Sequence, residues 1–208
     1  CDGGTANILL TNPNTVGGVQ YEWTVVATGV SGASASAGPS AASAIQQPLT
    51  LTTANTAGTV VYTVWATAAG CQSSPVQTVT VNVNPIPDVL ATPAAQTICS
   101  GSTTSIALSN PNAVSGTTYS WTVASTGVTG ATAGSGNTIA QSLTTSVANT
   151  QGTVTYTITP TANGCSGSTF DVVITVDPVP TLAINSTIFT VCDGGTANIL
   201  LTNPNTVG

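Results

Sequence analysis

No lysine, arginine, histidine or methionine occurs anywhere in these 208 residues. Without a cationic side chain nothing can displace phosphate counterions, so nucleic acid is not a partner. The same absence argues against docking on an anionic membrane surface. No apolar run approaches the ~20 residues of a membrane-spanning helix, so membrane insertion is not expected. Nucleophile–base pairs normally draw on His or Lys, and neither is present. Lys–Asn isopeptide cross-links are ruled out with the lysines. The six acids, Asp2, Glu22, Asp88, Asp171, Asp177 and Asp193, are all the charge there is, 3% of residues. Asp171 and Asp177 are the nearest useful pair. They fall at opposite ends of one predicted strand, where they cannot flank a glycosidic bond. Scattered acids, no His and no CxxC leave no metal-ligand pattern. No enzyme activity, cofactor or metal is expected.

What remains is 41% hydrophobic residues in a background of Thr, Ser, Asn, Gln and Gly. That is enough to build a core beneath a neutral hydrogen-bonding surface. The order of these residues is repetitive. CDGGTANILLTNPNTVG opens the chain at residues 1–17 and returns letter for letter at residues 192–208. A related module begins at Cys99 with CSGSTTSIALSNPN. Cys99 follows Cys1 by 98 residues, and Cys192 follows Cys99 by 93. A period of this length suits a small β-sandwich domain and is too long for a solenoid coil. The chain lacks an initiating Met and starts inside a module, so it reads as a segment of something longer.

Each module carries short alternating runs broken by Gly, Asn and Pro, with no helical period. Val19–Ala27, Gly58–Ala66 and Val76–Val83 are the strongest runs in the first. Thr117–Ala124, Gly152–Pro160 and Phe170–Val176 match them in the second. Ala44–Thr52 is demoted towards an edge by Pro48. Asn12-Pro13-Asn14 breaks the run before it. Asn84-Pro85-Ile86-Pro87 and Asp177-Pro178-Val179-Pro180 are stiff, extended linkers. Each leads into a strand, Val89–Ala91 or Leu182–Ile184, that opens the next domain. Residues 1–84 are therefore predicted as a domain lacking its first strand. Residues 85–177 are a complete domain, and residues 178–208 the first strands of a third. The sequon Asn185-Ser186-Thr187 is read as a chance match.

Each module has one Cys at its opening and one after a hairpin. In-module pairs, Cys1–Cys71 and Cys99–Cys165, are favoured, with Cys192 pairing outside the segment. Neighbour-stapling pairs, Cys71–Cys99 and Cys165–Cys192, and free thiols are the alternatives. Paired cysteines imply an oxidising, extracytoplasmic setting. Tyr21, Trp23, Tyr119 and Trp121 alternate on strands and are expected in the cores. Trp65 alternates against Val60, Tyr62 and Val64, and Thr159 takes its place in the second module. It is expected at an interface with a neighbouring domain or strand, local cover and sugar stacking being the alternatives.

Cys99, Tyr119-Ser120-Trp121-Thr122-Val123, Gly136-Asn137-Thr138-Ile139-Ala140-Gln141, Val154-Thr155-Tyr156, Thr161-Ala162-Asn163-Gly164-Cys165 and Val176-Asp177-Pro178 together resemble the PKD-like, immunoglobulin-type repeats of giant Bacteroidota surface proteins, including gliding adhesins exported by type IX secretion. The resemblance implies tandem all-β sandwiches of about seven strands, extracellular exposure at the cell surface and a spacer role. The expected function is a structural repeat forming a stalk, fibre or adhesin filament. Its expected partners are neighbouring copies, head-to-tail and laterally. A carbohydrate-binding or adhesive module with Trp65 as platform is the alternative, with a surface glycan as partner.

Overall fold

The computed structural model describes residues 1–73, 75–184 and 187–205. Asn185 and Ser186 of the sequon lie outside them. No helix occurs among the described residues. The chain forms two compact units. The first holds Cys1–Asp88 with Asn110–Thr118 and Pro160–Ser168. The second holds Val89–Ser109, Tyr119–Thr159 and Thr169–Gly208.

The first unit contains β1 (Thr5–Leu9), β2 (Gln20–Thr28), β3 (Val30–Ser31), β4 (Ala44–Pro48), β5 (Thr50–Leu51), β6 (Gly58–Ala68), β7 (Cys71–Gln72) and β8 (Gln77–Val83). β2, β6 and β8 make one antiparallel sheet, and β7 folds back on the end of β6. β1 pairs with β4, and β3 with β5. Period-two alternation makes β6 the spine. Val60, Tyr62 and Val64 point into a core shared with Ala6, Val30, Ile45, Leu49, Leu51 and Val83. The run predicted over Ala44–Thr52 is in fact two strands. It divides at Leu49, whose N–H donates to Gly4 O at 2.8 Å.

The second repeat runs through β9 (Leu90–Thr92), β10 (Ala95–Cys99), β11 (Ile106–Ser109), β12 (Thr118–Thr126), β13 (Val128–Thr129), β14 (Gly134–Ser135), β15 (Thr138–Ile139), β16 (Thr144–Thr145), β17 (Gly152–Ala162), β18 (Cys165–Ser166) and β19 (Phe170–Asp177). One sheet has the order β10-β19-β17-β12-β14 and another the order β15-β11-β9. The opening strand serves both sheets. β9 pairs antiparallel with β11, and after the cis Thr92-Pro93 bond β10 runs parallel to β19. Val89 and Ala91 are thereby buried in a core with Ile106, Trp121, Tyr156, Ile158 and Ile174. This is an immunoglobulin-like β-sandwich.

In the first unit β8 pairs with β6 and β1 with β4, and among the described residues no strand flanks either on its other side. Ile8, Leu10, Tyr21, Trp23, Val79 and Val81 are accordingly only half-buried. Their counterparts Ile106, Leu108, Tyr119, Trp121, Val172 and Ile174 are buried. Further along the chain, β20 (Ala183–Ile184) pairs with β21 (Leu201–Thr202). Ile184 faces Leu201 as Ala91, 93 residues earlier, faces Leu108.

Each core carries the same polar brace. Tyr156 donates its hydroxyl to Gln141 Oε1 at 2.8 Å, and Gln141 Nε2 donates to Thr132 O at 2.8 Å. Trp121 Nε1 donates to that same Thr132 O at 3.2 Å. Tyr62, Gln47, Ser34 and Trp23 repeat the pattern. Burial pushes the Tyr156 phenol from its ordinary 10.0 up to about 12 and raises Tyr62 as well. The fold thus favours the neutral phenol. Its contribution is complete below pH 10 and is lost as pH rises through about 12. Phenolate absorbance should show Tyr156 titrating well above its ordinary 10.0, at about 12, with a parallel fall in melting temperature. Titration near its ordinary value would count against the brace.

Candidate functional site: a disulfide-stapled joint

The hairpin between β17 and β18 turns at Asn163 and Gly164, whose φ values are 50° and 79°. Left-handed φ at both turn residues is the type I′ pattern that suits hairpin twist. The turn sets Ala162 opposite Cys165 and buries Cys165. Cys1 opens a second tight turn. Gly4 N donates to Cys1 O at 3.0 Å, Asp2 N to Asn84 O at 2.8 Å, and Leu51 N to Asp2 Oδ1 at 2.7 Å. The two turns meet within the first unit, and a disulfide joins Cys1 to Cys165 with their Cα atoms 5.6 Å apart.

Polar contacts surround the bond. Asn84 Nδ2 donates to Asn163 O at 2.8 Å. Asn112 grips the Pro-x-Pro linker from both ends. Its Nδ2 donates to Ile86 O at 2.9 Å, and its Oδ1 accepts from Asp88 N at 3.2 Å. Asn110 Nδ2 donates to Val114 O at 2.7 Å and shapes the loop that carries Asn112. Pro85 and Pro87 are buried. A Cβ at Gly167 would collide with Pro87 O, so only glycine permits this approach. Gly167→Ala should force the linker off the hairpin and cost about 1–3 kcal/mol. Hydrogen exchange at Ile86–Asp88 should rise, and unchanged protection would contradict the close fit.

The cysteine pairing differs from the expected one. Cys71 and Cys99 are free and exposed, as is Cys192. Strand length explains why. Cys1 sits beside Asn84, which follows Val83, the partner of Gly58 at the start of β6. Cys71 lies past the other end of this 11-residue strand. Strands rise ~3.3 Å per residue, which puts about 30 Å between those ends, whereas a disulfide needs Cα atoms within ~7 Å. Cys99 and Cys165 stand at opposite ends of β17 in the same way, since Cys99 pairs with Asp177 beyond the Gly152–Val176 pair. The neighbour-stapling pairs Cys71–Cys99 and Cys165–Cys192 are likewise not the ones formed.

Tyr119 and Trp121 lie in the second core, and Tyr21 and Trp23 line the half-open first one. Trp65 is half-buried and, with Ile8, Leu10, Tyr21 and Val79, lines a cleft of about 460 Å³. Asp171 is exposed, and Asp177 Oδ1 accepts from Gln151 Nε2 at 2.6 Å. Among the described residues, no three His, Cys, Asp or Glu side chains gather into a metal site. Asn112 was missed as a functional residue. Its signal was the Asn-Pro-Asn motif, present at residues 12–14, 110–112 and 203–205, which reads locally as a strand breaker.

The sandwich and its stapled joint define a tandem immunoglobulin-type repeat. The family model described as PKD-like domain matches residues 1–87 and again residues 96–180, and the chain belongs to that family. Its domains are typically extracellular structural or adhesive repeats and are generally non-catalytic. The disulfide fits an oxidising extracellular environment. No curated protein matches the chain.

Proposed function

We propose that this chain is a structural repeat segment of a long secreted bacterial surface protein, of the giant Bacteroidota adhesin kind exported by type IX secretion. In this reading it builds a stalk, fibre or adhesin filament. The carrying observation is the Cys1–Cys165 joint, where the opening cysteine of one repeat bonds to the hairpin cysteine of the next. Such a bond suits transmission of load along a chain. The repeats are then residues 1–84 without a first strand, residues 85–177 entire, and residues 178–208 opening a third. Neighbouring copies are the partners, head-to-tail and laterally. The absence of Lys and Arg leaves trypsin-like proteases no site, which suits exposure outside the cell. Electron microscopy of native material, before and after reduction, tests this reading. Long uniform fibres with a repeat near two domains, altered by reduction, are expected. Short rods that never associate would contradict the filament.

One observation favours a second reading, recognition of a surface glycan. Trp65 offers an aromatic face in the 460 Å³ cleft of the first unit. In that case Trp65→Thr abolishes glycan-array binding and leaves the unit folded. Binding that survives the substitution removes this reading.

A further inference from the structure

The halves of the observed joint recur in the chain, unjoined. Cys99 opens the second repeat as Cys1 opens the first, in the same hydrogen-bonded frame. Ser100 N donates to Asp177 O at 2.7 Å, as Asp2 N does to Asn84 O at 2.8 Å. Ser102 N donates to Cys99 O at 3.0 Å, as Gly4 N does to Cys1 O at 3.0 Å. Cys71 follows the first repeat's hairpin as Cys165 follows the second's. It faces Ala68 across a turn whose two residues, Ala69 and Gly70, have φ of 49° and 81°. The linker clamp recurs too. Asn205 Nδ2 donates to Val179 O at 2.6 Å and its Oδ1 accepts from Thr181 N at 3.2 Å, each group 93 residues on from those that Asn112 holds. Both thiols are exposed, and the equivalent pair, Cys1 and Cys165, is bonded.

We propose that Cys99 and Cys71 are the two halves of a second staple, Cys99 of one copy bonding Cys71 of another, so that repeat pairs cross-link head to tail. This rests on the reading that neighbouring copies are partners. The other copy can be a separate molecule or a continuation of the same chain, and the sulfur chemistry is the same. The two thiols give up two protons and two electrons to a small-molecule disulfide such as oxidised glutathione. That disulfide's S–S bond breaks and it leaves as two thiols, while one S–S bond forms between the copies.

The second staple is not a replica of the first. Ser73 stands where Gly167 stands, its N donating to Ala66 O at 2.7 Å as Gly167 N does to Pro160 O at 3.0 Å. The linker carbonyl, which leaves no room for a Cβ at Gly167, must sit further out over Ser73. Ser73→Gly should therefore speed cross-linking.

The test incubates the whole 208-residue chain in a glutathione redox buffer over a range of concentrations. Non-reducing electrophoresis and mass spectrometry of chymotryptic peptides read the products, because trypsin has nothing to cut. The expected result is a concentration-dependent, reducible ladder containing a Cys99–Cys71 peptide. Cys71→Ser or Cys99→Ser alone abolishes the ladder, and Cys192→Ser leaves it. Mixing Cys71→Ser with Cys99→Ser restores dimers and nothing longer, since each chain then supplies one half. Symmetric Cys71–Cys71 links, links through Cys192, or a Cys71–Cys99 bond within one monomer would overturn the proposal. Association that persists in reductant without the Cys99–Cys71 peptide sinks the staple and leaves head-to-tail packing standing. Chains that stay monomeric with and without oxidant sink both. On native material, release of separate chains by reduction places the pair between molecules, and the joined peptide without release places it within one continuous chain.

Discussion

Cys1→Ser should destabilise the first unit by about 2–5 kcal/mol, the usual range for losing a native disulfide. The upper end is favoured because the bond spans 164 residues of sequence, and in the chain-entropy model a closed loop of that length is worth about 5 kcal/mol. Cys1 is exposed, so the substitution opens no cavity and the effect reports the lost bond. Cys71→Ser is the control. It removes an exposed, free thiol and should change stability by no more than about 0.5 kcal/mol. Denaturant unfolding followed by tryptophan fluorescence reads the first unit through Trp23 and Trp65. Equal losses in the two variants would mean that the staple carries no stability.

Tyr156→Ala should cost the second unit about 3–5 kcal/mol, as large aromatic truncations in packed cores do. Tyr156 is fully buried beside Val154, Ile158, Val172 and Ile174, which leaves little freedom for collapse around the cavity. Tyr156→Phe keeps the ring and loses only the bond to Gln141 Oε1, for about 1 kcal/mol. Tyr62→Ala should fall at or below the low end of the same range. Its ring is buried, yet the neighbouring Val79, Val81 and Tyr21 are half-exposed, so water reaches part of the space left behind. Urea denaturation of the three variants checks the order, and equal losses from Tyr62→Ala and Tyr156→Ala would contradict a half-open first core.

The strands were legible because period-two burial leaves period-two sequence. Val60, Tyr62 and Val64 in β6, and Val154, Tyr156 and Ile158 in β17, announce both their strand and its inner face. The repeat made the second module a template for the first. The linkers were legible from Pro85 and Pro87, since Pro-x-Pro has few conformations to choose from. The cysteine pairing was not read, because hairpin and opening cysteines look alike in sequence and differ in which end of an 11-residue strand they occupy. Counting the rise of β6 would have separated Cys1 from Cys71. Asn112 was hidden for another reason. A side chain that grips a carbonyl 26 residues away leaves no local pattern, and only its recurrence at Asn205 betrays it. The switch of the opening strand between sheets at Thr92-Pro93 was equally invisible, since the opening strand reads over Val89–Ala91 alone and β10 gave no strand signal.

A disulfide map of the intact native protein is the most direct test of the stapled joint. Chymotryptic digestion without reduction, followed by mass spectrometry, should yield a peptide in which Cys1 is bonded to Cys165. Finding Cys1 joined to Cys71 and Cys99 joined to Cys165 would contradict the joint, and with it the proposed role of these repeats as covalently linked structural units.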